Sequence, residues 1–343
     1  MIQFTKFIKM KNKINVGIIG YGVVGKKRAL SIKKCDYFNL VAISDINQKN
    51  NPKDDKIKFF NSYLELIRQK NIKVVFICLP TKYAAKATAH AIKNELDIFC
   101  EKPPARSFKE LSKIKQLLNK NKKLKLVYGF NHRYHDSVVE AKKIIKSKKY
   151  GNIINFRGVY GKSTIVGFDG GWRSSKTEAG GGILIDQGIH MLDLILNFSS
   201  NFNKVYSFNS NKFWKYNVED NSYILMKNKK NHVAMIHSSA TEWRHKFRLE
   251  IGLEKALIEL RGILSSTKSY GEEELIITPK REYSKTGSLM NISKKYLQDN
   301  SWDIEVRKFE NTIVKKAIVK DGSIDQALEV MKLIDKVYTS KLI

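Results

Sequence analysis

The stretch AGGGILIDQGIHMLDL, residues 179–194, sets Asp186 and His190 four residues apart in an apolar run opened by three glycines. In a helix that spacing puts both side chains on one face, one turn apart. Burying a carboxylate and an imidazole is costly unless they pair or do chemistry. Taken alone, the pair reads at least as well as two satisfied polar residues of a core helix. The rest of the chain decides between these readings.

A second candidate site lies near the N-terminus. The apolar run Ile14 to Ile19 leads through Gly20-Tyr21-Gly22-Val23-Val24-Gly25 into a helix-like segment. A G-x-G-x-x-G between strand and helix suits a dinucleotide pyrophosphate. Gly20 permits the tight turn, Gly22 lets the backbone approach the phosphates, and Gly25 lets helix and strand pack closely. The helix N-terminus adds free N–H groups and partial positive charge. The next apolar run ends in Asp45, 45 − 25 = 20 residues past the last glycine. An acidic group there suits the ribose hydroxyls of NAD and repels a 2′-phosphate, so NAD is favoured over NADP. Lys49 stands close enough to keep NADP open, and Asp45 alone also reads as an ordinary turn residue.

Strand-like runs at 73–80, 97–105 and 124–130 alternate with helix-like segments at 81–95 and 107–120. That alternation predicts an α/β Rossmann domain over residues 1–130, with a doubly wound parallel sheet. Ligands bind at the carboxyl ends of such strands. Leu79, Pro80, Glu101, Lys102 and Asn131 fall there and join the glycine loop as candidate cofactor contacts. Over 131–343 the pattern changes. A helix at 136–147 and another at 183–197 accompany short runs at 153–160, 204–208, 223–226, 232–239, 247–252, 256–261 and 275–278. These predict an α+β domain with an open, mostly antiparallel sheet. Residues 279–300 read as a long polar loop, and 301–317 and 323–340 as helices that pack back on the first domain.

The 343 residues suffice for two domains. No apolar run of about 18 residues is expected to cross a membrane, and residues 1–20 lack the apolar core of a secretory signal. Residues 1–9 read as a loose extension or a misassigned start before Met10. The three cysteines, Cys35, Cys78 and Cys100, have no metal or redox spacing and suit a reduced cytoplasm. The net charge of +30 raises nucleic acid as a partner. The excess is mostly dispersed Lys without Arg tracts or interleaved aromatics, so specific nucleic-acid binding is not expected.

GIIGYGVVG, FICLPTKYAAKATAHAIKNELDIFCEKPPA, GFNHRYH and GGGILIDQGIHMLDL together resemble, in order and spacing, the Gfo/Idh/MocA family of NAD(P)-dependent oxidoreductases. The resemblance spans nearly the whole chain. It implies hydride transfer between nicotinamide and an alcohol carbon of a sugar, cyclitol or sugar nucleotide. The family's E-K-P lysine falls on Lys102 and its D-x-x-x-H pair on Asp186 and His190. On this reading His190 is the base. Lys102 stabilises a developing alkoxide, and Asp186 binds a neighbouring hydroxyl or orients the imidazole. Without the resemblance, Lys102 reads as a surface ion-pair partner. Arg133, Tyr160, Trp172 and Arg173 are candidate substrate contacts, each open to a purely structural role. No third ligand accompanies Asp186 and His190, so no metal is expected.

One position departs from many relatives: Ala84 stands where they carry His. CEKPPAR and GKSTIVGFDGGWRSS look like members of bacterial surface-polysaccharide and sugar-nucleotide pathways. Inositol or free-sugar oxidation is the alternative, and a non-catalytic NAD-dependent sensor or scaffold is the alternative of another class. The resemblance also implies a homodimer or homotetramer, paired through the open sheet.

Overall fold

The computed structural model describes residues 13–163, 171–265, 268–280 and 291–340. The expected N-terminal extension and part of the expected 279–300 loop lie outside these residues.

The first sheet is built from β1 (Ile14–Ile19), β2 (Phe38–Ser44), β3 (Lys58–Phe60), β4 (Val74–Ile77), β5 (Asp97–Glu101) and β6 (Leu126–Gly129), alternating with α1 (Val23–Lys33), α2 (Tyr63–Ile67), α3 (Thr81–Lys93) and α4 (Phe108–Asn119). All pairings are parallel, in the order β3-β2-β1-β4-β5-β6. Every residue of β4 is buried, as a strand covered on both faces requires. The chain reverses its winding direction between β1 and β4, which opens the ligand crevice at their carboxyl ends. β3 and α2 were not expected, because three and five residues are too short to carry a periodic signal.

After α5 (Asp136–Ser147) comes β7 (Ile153–Gly161), followed by α6 (Lys176–Ala179) and α7 (Ile189–Phe198). The second sheet adds β8 (Phe202–Ser210), β9 (Asn221–Asn228), β10 (Val233–Ser239), β11 (Lys246–Leu253), β12 (Ala256–Arg261), β13 (Glu273–Pro279) and β14 (Ile292–Tyr296). Its order is β14-β13-β12-β11-β7-β10-β9-β8, antiparallel except for β7 beside β10. β14 corrects the expectation of an unbroken loop at 279–300. Its sequence ISKKY is exposed on four of five positions, so it lacks the apolar signal of an inner strand.

The expected helix at 183–197 is also corrected: Leu184–Gly188 form a π-helical turn that runs into α7. Such turns are rare and concentrate at functional sites. The helical stretch Lys176–Phe198 is long and apolar enough to cross a membrane by length and composition, contrary to the expectation that none would be. Its most apolar part is mostly buried inside the protein, against the inner face of the second sheet, where Ile189, Met191 and Leu192 are fully covered.

The last two helices join the two sheets. α8 (Ser301–Val314) inserts Val306 and Phe309 among Val16, Ile18, Phe76 and Phe99 of the first sheet. Phe309 meets Phe76 edge-on, with centroids 5.7 Å apart. α9 (Ile324–Thr339) runs between α4 and β8. It accepts from Phe108 N–H through Asp335 and from Ser207 Oγ through the Val337 carbonyl. Cys35, Cys78 and Cys100 are all free thiols.

Candidate active site

The glycine loop sits at the end of β1. Gly20 has φ +87°, and a Cβ there would lie 2.6 Å from the Cys78 carbonyl oxygen and 3.1 Å from Leu79. At Gly25 a Cβ would lie 2.1 Å from the Gly20 carbonyl oxygen. At Gly22 it would meet nothing within 4 Å. Two of the glycines are thus required by the protein's own packing, and the middle one faces open space at the start of α1. That cradle and its uncapped helix N-terminus fit a dinucleotide pyrophosphate. Tyr21 donates its N–H to Asp45 Oδ2 at 2.6 Å, and Asn47 donates to Oδ1 at 2.8 Å. Asp45 is therefore fixed beside the loop, at the end of β2. Val23 is exposed on the same rim, Val24 is half-buried, and Pro80 caps α3 beside it.

Lys102 follows β5 and precedes a cis Pro103. It is no surface ion pair. Its Nζ donates to the Asp186 backbone carbonyl at 2.7 Å, inside the structure. Burial lowers its pKa, opposed by the Asp186 carboxylate. Glu101, its neighbour, is turned away. Its Oε1 accepts from Arg28 Nε at 2.5 Å, while Arg28 also donates to Glu305 of α8 at 2.7 Å. The expectation that Glu101 contacts the cofactor gives way to this buried triad, which ties α1, β5 and α8 together.

Asp186 accepts from Arg173 Nε at 3.4 Å and from Gln187 Nε2 at 3.1 Å. Burial works to raise its pKa, but Lys102, Arg173 and Lys162 hold it well below the usual carboxylate range. His190 is buried, and its Nδ1 has no hydrogen-bond partner. Burial, then Lys102, His135 and Lys162, push its pKa well below 6.5. A buried unpartnered polar atom is uncommon and calls for an explanation such as catalysis. The ring stacks on His132, with centroids 3.7 Å apart and planes 15° from parallel. His132 is likewise held neutral by burial and by His190. Its Nε2 lies 3.0 Å from the Tyr160 hydroxyl, so Tyr160 backs the site through His132.

Trp172 and Arg173 stack on each other, with the guanidinium 4.2 Å from the ring centroid, and both line a small cavity with Pro103 and Asp186. Arg133 is placed elsewhere. Its guanidinium is buried and donates to both carboxylate oxygens of Asp193 and to Gln326. The expectation that it contacts substrate is corrected by these bonds. Asn131 is buried, donating to Ser301 Oγ and lying beside His132. The three glycines that open the 180–194 stretch serve the fold. A Cβ on Gly180, Gly181 or Gly182 would strike Arg106, Tyr338 or Glu219 respectively, at 2.0–2.4 Å.

Residues 14–130 match the model of an oxidoreductase family with an NAD-binding Rossmann fold, and residues 138–259 match the GFO/IDH/MocA C-terminal domain. The chain belongs to the Gfo/Idh/MocA family. Among its relatives is a levoglucosan dehydrogenase of Pseudarthrobacter phenanthrenivorans, 31% identical over 53% of this chain and 50% of the relative. A glucose-6-phosphate 3-dehydrogenase of Bacillus subtilis is 28% identical over 52% of each chain. The chain spans about half the length of the curated relatives it matches. A solved levoglucosan dehydrogenase in complex with NADH and L-sorbose superposes with TM-score 0.85 at 20% identity, covering 96% of both chains. At that identity it speaks for the fold alone.

The Gfo/Idh/MocA chain holds two site residues that sequence reasoning missed. His132 stood in the quoted GFNHRYH, at the strand end where ligands bind, but nothing in the spacing marks a ring stack. Lys162 directly follows β7, and its charge helps to lower the pKa of both Asp186 and His190. Its signal was lost among the chain's many lysines.

Proposed function

We propose that this protein passes a hydride between the nicotinamide of NAD and a CH–OH carbon of a sugar or sugar nucleotide. The observation that carries the reading is the convergence of Lys102, Asp186 and a neutral His190, its Nδ1 without a hydrogen-bond partner, beyond a glycine cradle open at Gly22. When bound, the cofactor supplies the hydride acceptor. His190 takes the hydroxyl proton, for which a neutral imidazole is suited. The Lys102 ammonium stabilises oxygen charge as that proton leaves, and its bond to the Asp186 carbonyl fixes where it acts. Asp186, kept ionised by three cations, accepts from a neighbouring hydroxyl. Asp45 favours NAD by repelling a 2′-phosphate.

The family relatives named for levoglucosan and inositol oxidation support a free sugar or cyclitol as the second reading. A sugar nucleotide of polysaccharide precursor synthesis, in the cytoplasm, rests on motif wording alone. A non-catalytic sensor has no use for an ionised carboxylate, a neutral imidazole and an ammonium gathered at one point. The test is incubation with NAD and a panel of sugars, inositols and nucleotide sugars. A product two hydrogens lighter than its substrate is expected in mass spectra. No such product from any member, with NAD bound, favours the sensor.

A second copy of the chain is the partner we place against the outer face of the second sheet. Tyr206, Phe208, Tyr223, Leu225 and Met235 expose a continuous apolar surface there, around a groove of about 850 Å³. Contiguous patches of this kind mark interaction sites. Light scattering is expected to give a dimer or larger, and Leu225→Glu with Met235→Glu to give monomers. A wild-type monomer at micromolar concentration contradicts the pairing.

A further inference from the structure

The helical segment that carries Asp186 and His190 starts on a carboxylate from another part of the fold. Glu219 lies between β8 and β9 and is buried. Its Oε2 accepts from the Gly182 N–H at 2.9 Å, and its Oε1 accepts from the Leu184 N–H at 3.0 Å. Its backbone carbonyl accepts from the Ile183 N–H between them, at 3.1 Å. One residue thus takes up three consecutive N–H groups at a helix start, where the helix itself offers no partner. The Tyr338 hydroxyl of α9 donates to the same Oε1 at 2.9 Å. Burial raises the Glu219 pKa, and backbone N–H groups, its own included, oppose the rise together with Tyr338.

The loop that presents Glu219 is pinned in turn. Asp220 Oδ2 accepts from the Phe213 N–H at 2.8 Å and the Trp214 N–H at 3.2 Å, and the Asp220 N–H donates to the Ser210 carbonyl at 2.8 Å. Val218 packs with Ile183 and Ala240 beside it. The approach is so close that a Cβ on Gly181 or Gly182 would strike Tyr338 or Glu219. A buried carboxylate is a costly way to finish a helix that solvent or a small polar side chain could finish. What it adds is a fixed position for the residues that follow. The Asp186 N–H donates to the Gly182 carbonyl at 3.0 Å, so the turn that Glu219 holds is the turn that sets Asp186. The Asp186 carbonyl receives Lys102 Nζ at 2.7 Å, from the end of β5. His190 follows one turn later, stacked on His132.

We infer that Glu219 is a positioning residue for the proton transfer: its carboxylate, steadied by the Tyr338 hydroxyl, fixes the start of the helical segment and with it the Asp186 carbonyl that Lys102 meets and the ring of His190. The inference rests on the dehydrogenase reading above. Glu219 touches neither cofactor nor substrate in this role. It acts through Lys102, Asp186 and His190.

The experiment uses the full chain with Glu219→Gln and Tyr338→Phe. Gln keeps the size of Glu but turns an NH2 group toward one of the N–H donors. With a sugar that wild type oxidises, Glu219→Gln is expected to lower kcat roughly tenfold to hundredfold, the scale of a misplacement of about 1 Å, and to leave the KM for NAD near wild type. Tyr338→Phe is expected to lower kcat roughly two- to tenfold, the worth of one neutral hydrogen bond, and it decides the matter if Glu219→Gln does not fold. In a Lys102→Met background the loss from Glu219→Gln is expected to be at least about threefold smaller, because both changes act through one contact. A helix cap that serves stability alone lowers the melting temperature and leaves kcat of the folded variant at the wild-type value. That result overturns the inference, as does an equal loss in both backgrounds. If wild type oxidises no sugar, the dehydrogenase reading fails and proton NMR decides Glu219 separately. The His190 ring resonance, identified by its loss in His190→Asn, is expected to move in Glu219→Gln as its stack on His132 shifts. An unmoved resonance overturns the positioning role.

Discussion

His190→Asn is expected to lower kcat by roughly 10²- to 10⁴-fold, the usual worth of a positioned general base. The loss belongs to chemistry, because Nδ1 of His190 has no partner inside the protein and its removal breaks no internal bond at that atom. Circular dichroism is expected to stay near wild type, with the melting temperature lowered by the lost stack on His132. Lys102→Met is expected to cost roughly 10²- to 10³-fold through the loss of one donor to developing charge. The pH profile carries the same argument. A base works deprotonated, and burial with Lys102, His135 and Lys162 keeps His190 deprotonated below its ordinary value of 6.5. The acid limb of kcat/KM is therefore expected below pH 6.5. Stability follows the same sign. The folded state refuses a proton that the unfolded chain accepts, so this group's contribution weakens as pH falls below about 6.5. A folded His190→Asn within tenfold of wild type removes His190 from the proton transfer.

The largest expected stability effect falls on Arg28→Met. Arg28 is fully buried between Glu101 and Glu305, with its guanidinium 4.5 Å from the Phe99 centroid and 4.2 Å from that of Trp302. Removing it strands two carboxyl groups in the seam between α1, β5 and α8, at a cost of about 3–5 kcal/mol. Even with Arg28 present, burial and then the neighbouring Glu101 outweigh its pull and raise the Glu305 pKa to about 7, above the ordinary 4.5. A carboxyl whose folded pKa is raised stabilises most below its unfolded value and loses that contribution as pH rises through the folded one. Without the guanidinium this decline deepens. Urea denaturation is expected to show a larger deficit at pH 8 than at pH 5.5. A loss below about 1 kcal/mol, or one independent of pH, contradicts the ion triad as a structural tie.

These two effects differ in how visible they were in the sequence. The glycine loop and Asp45 were legible because one local spacing defines a strand, a turn and a helix N-terminus. Lys102, Asp186 and His190 were legible only through motifs read together, since each has an ordinary structural reading alone. The Arg28 triad was hidden, because its members lie 73 and 277 residues apart and no local pattern links them. The same holds for the His132 stack and for Lys162, whose meaning comes from neighbours on other elements. Arg133 shows the converse error. A guanidinium suited to anion recognition made it a candidate substrate contact, and only the packing of α7 and α9 reveals that Asp193 and Gln326 claim it. The π-helical turn at Leu184–Gly188 was invisible for a related reason. One extra residue in a helical turn leaves the apolar pattern intact.

On the reading proposed above, Lys102 and His190 carry out oxidation of a substrate hydroxyl next to bound NAD. The measurement that tests it most directly follows absorbance at 340 nm for wild type, Lys102→Met and His190→Asn, all folded and all shown to bind NAD, across the sugar panel. At least one sugar is expected to drive NADH formation by wild type, and both variants to lose at least a hundredfold of that rate. Wild-type turnover that both variants retain removes Lys102 and His190 from the chemistry and moves it elsewhere in the crevice.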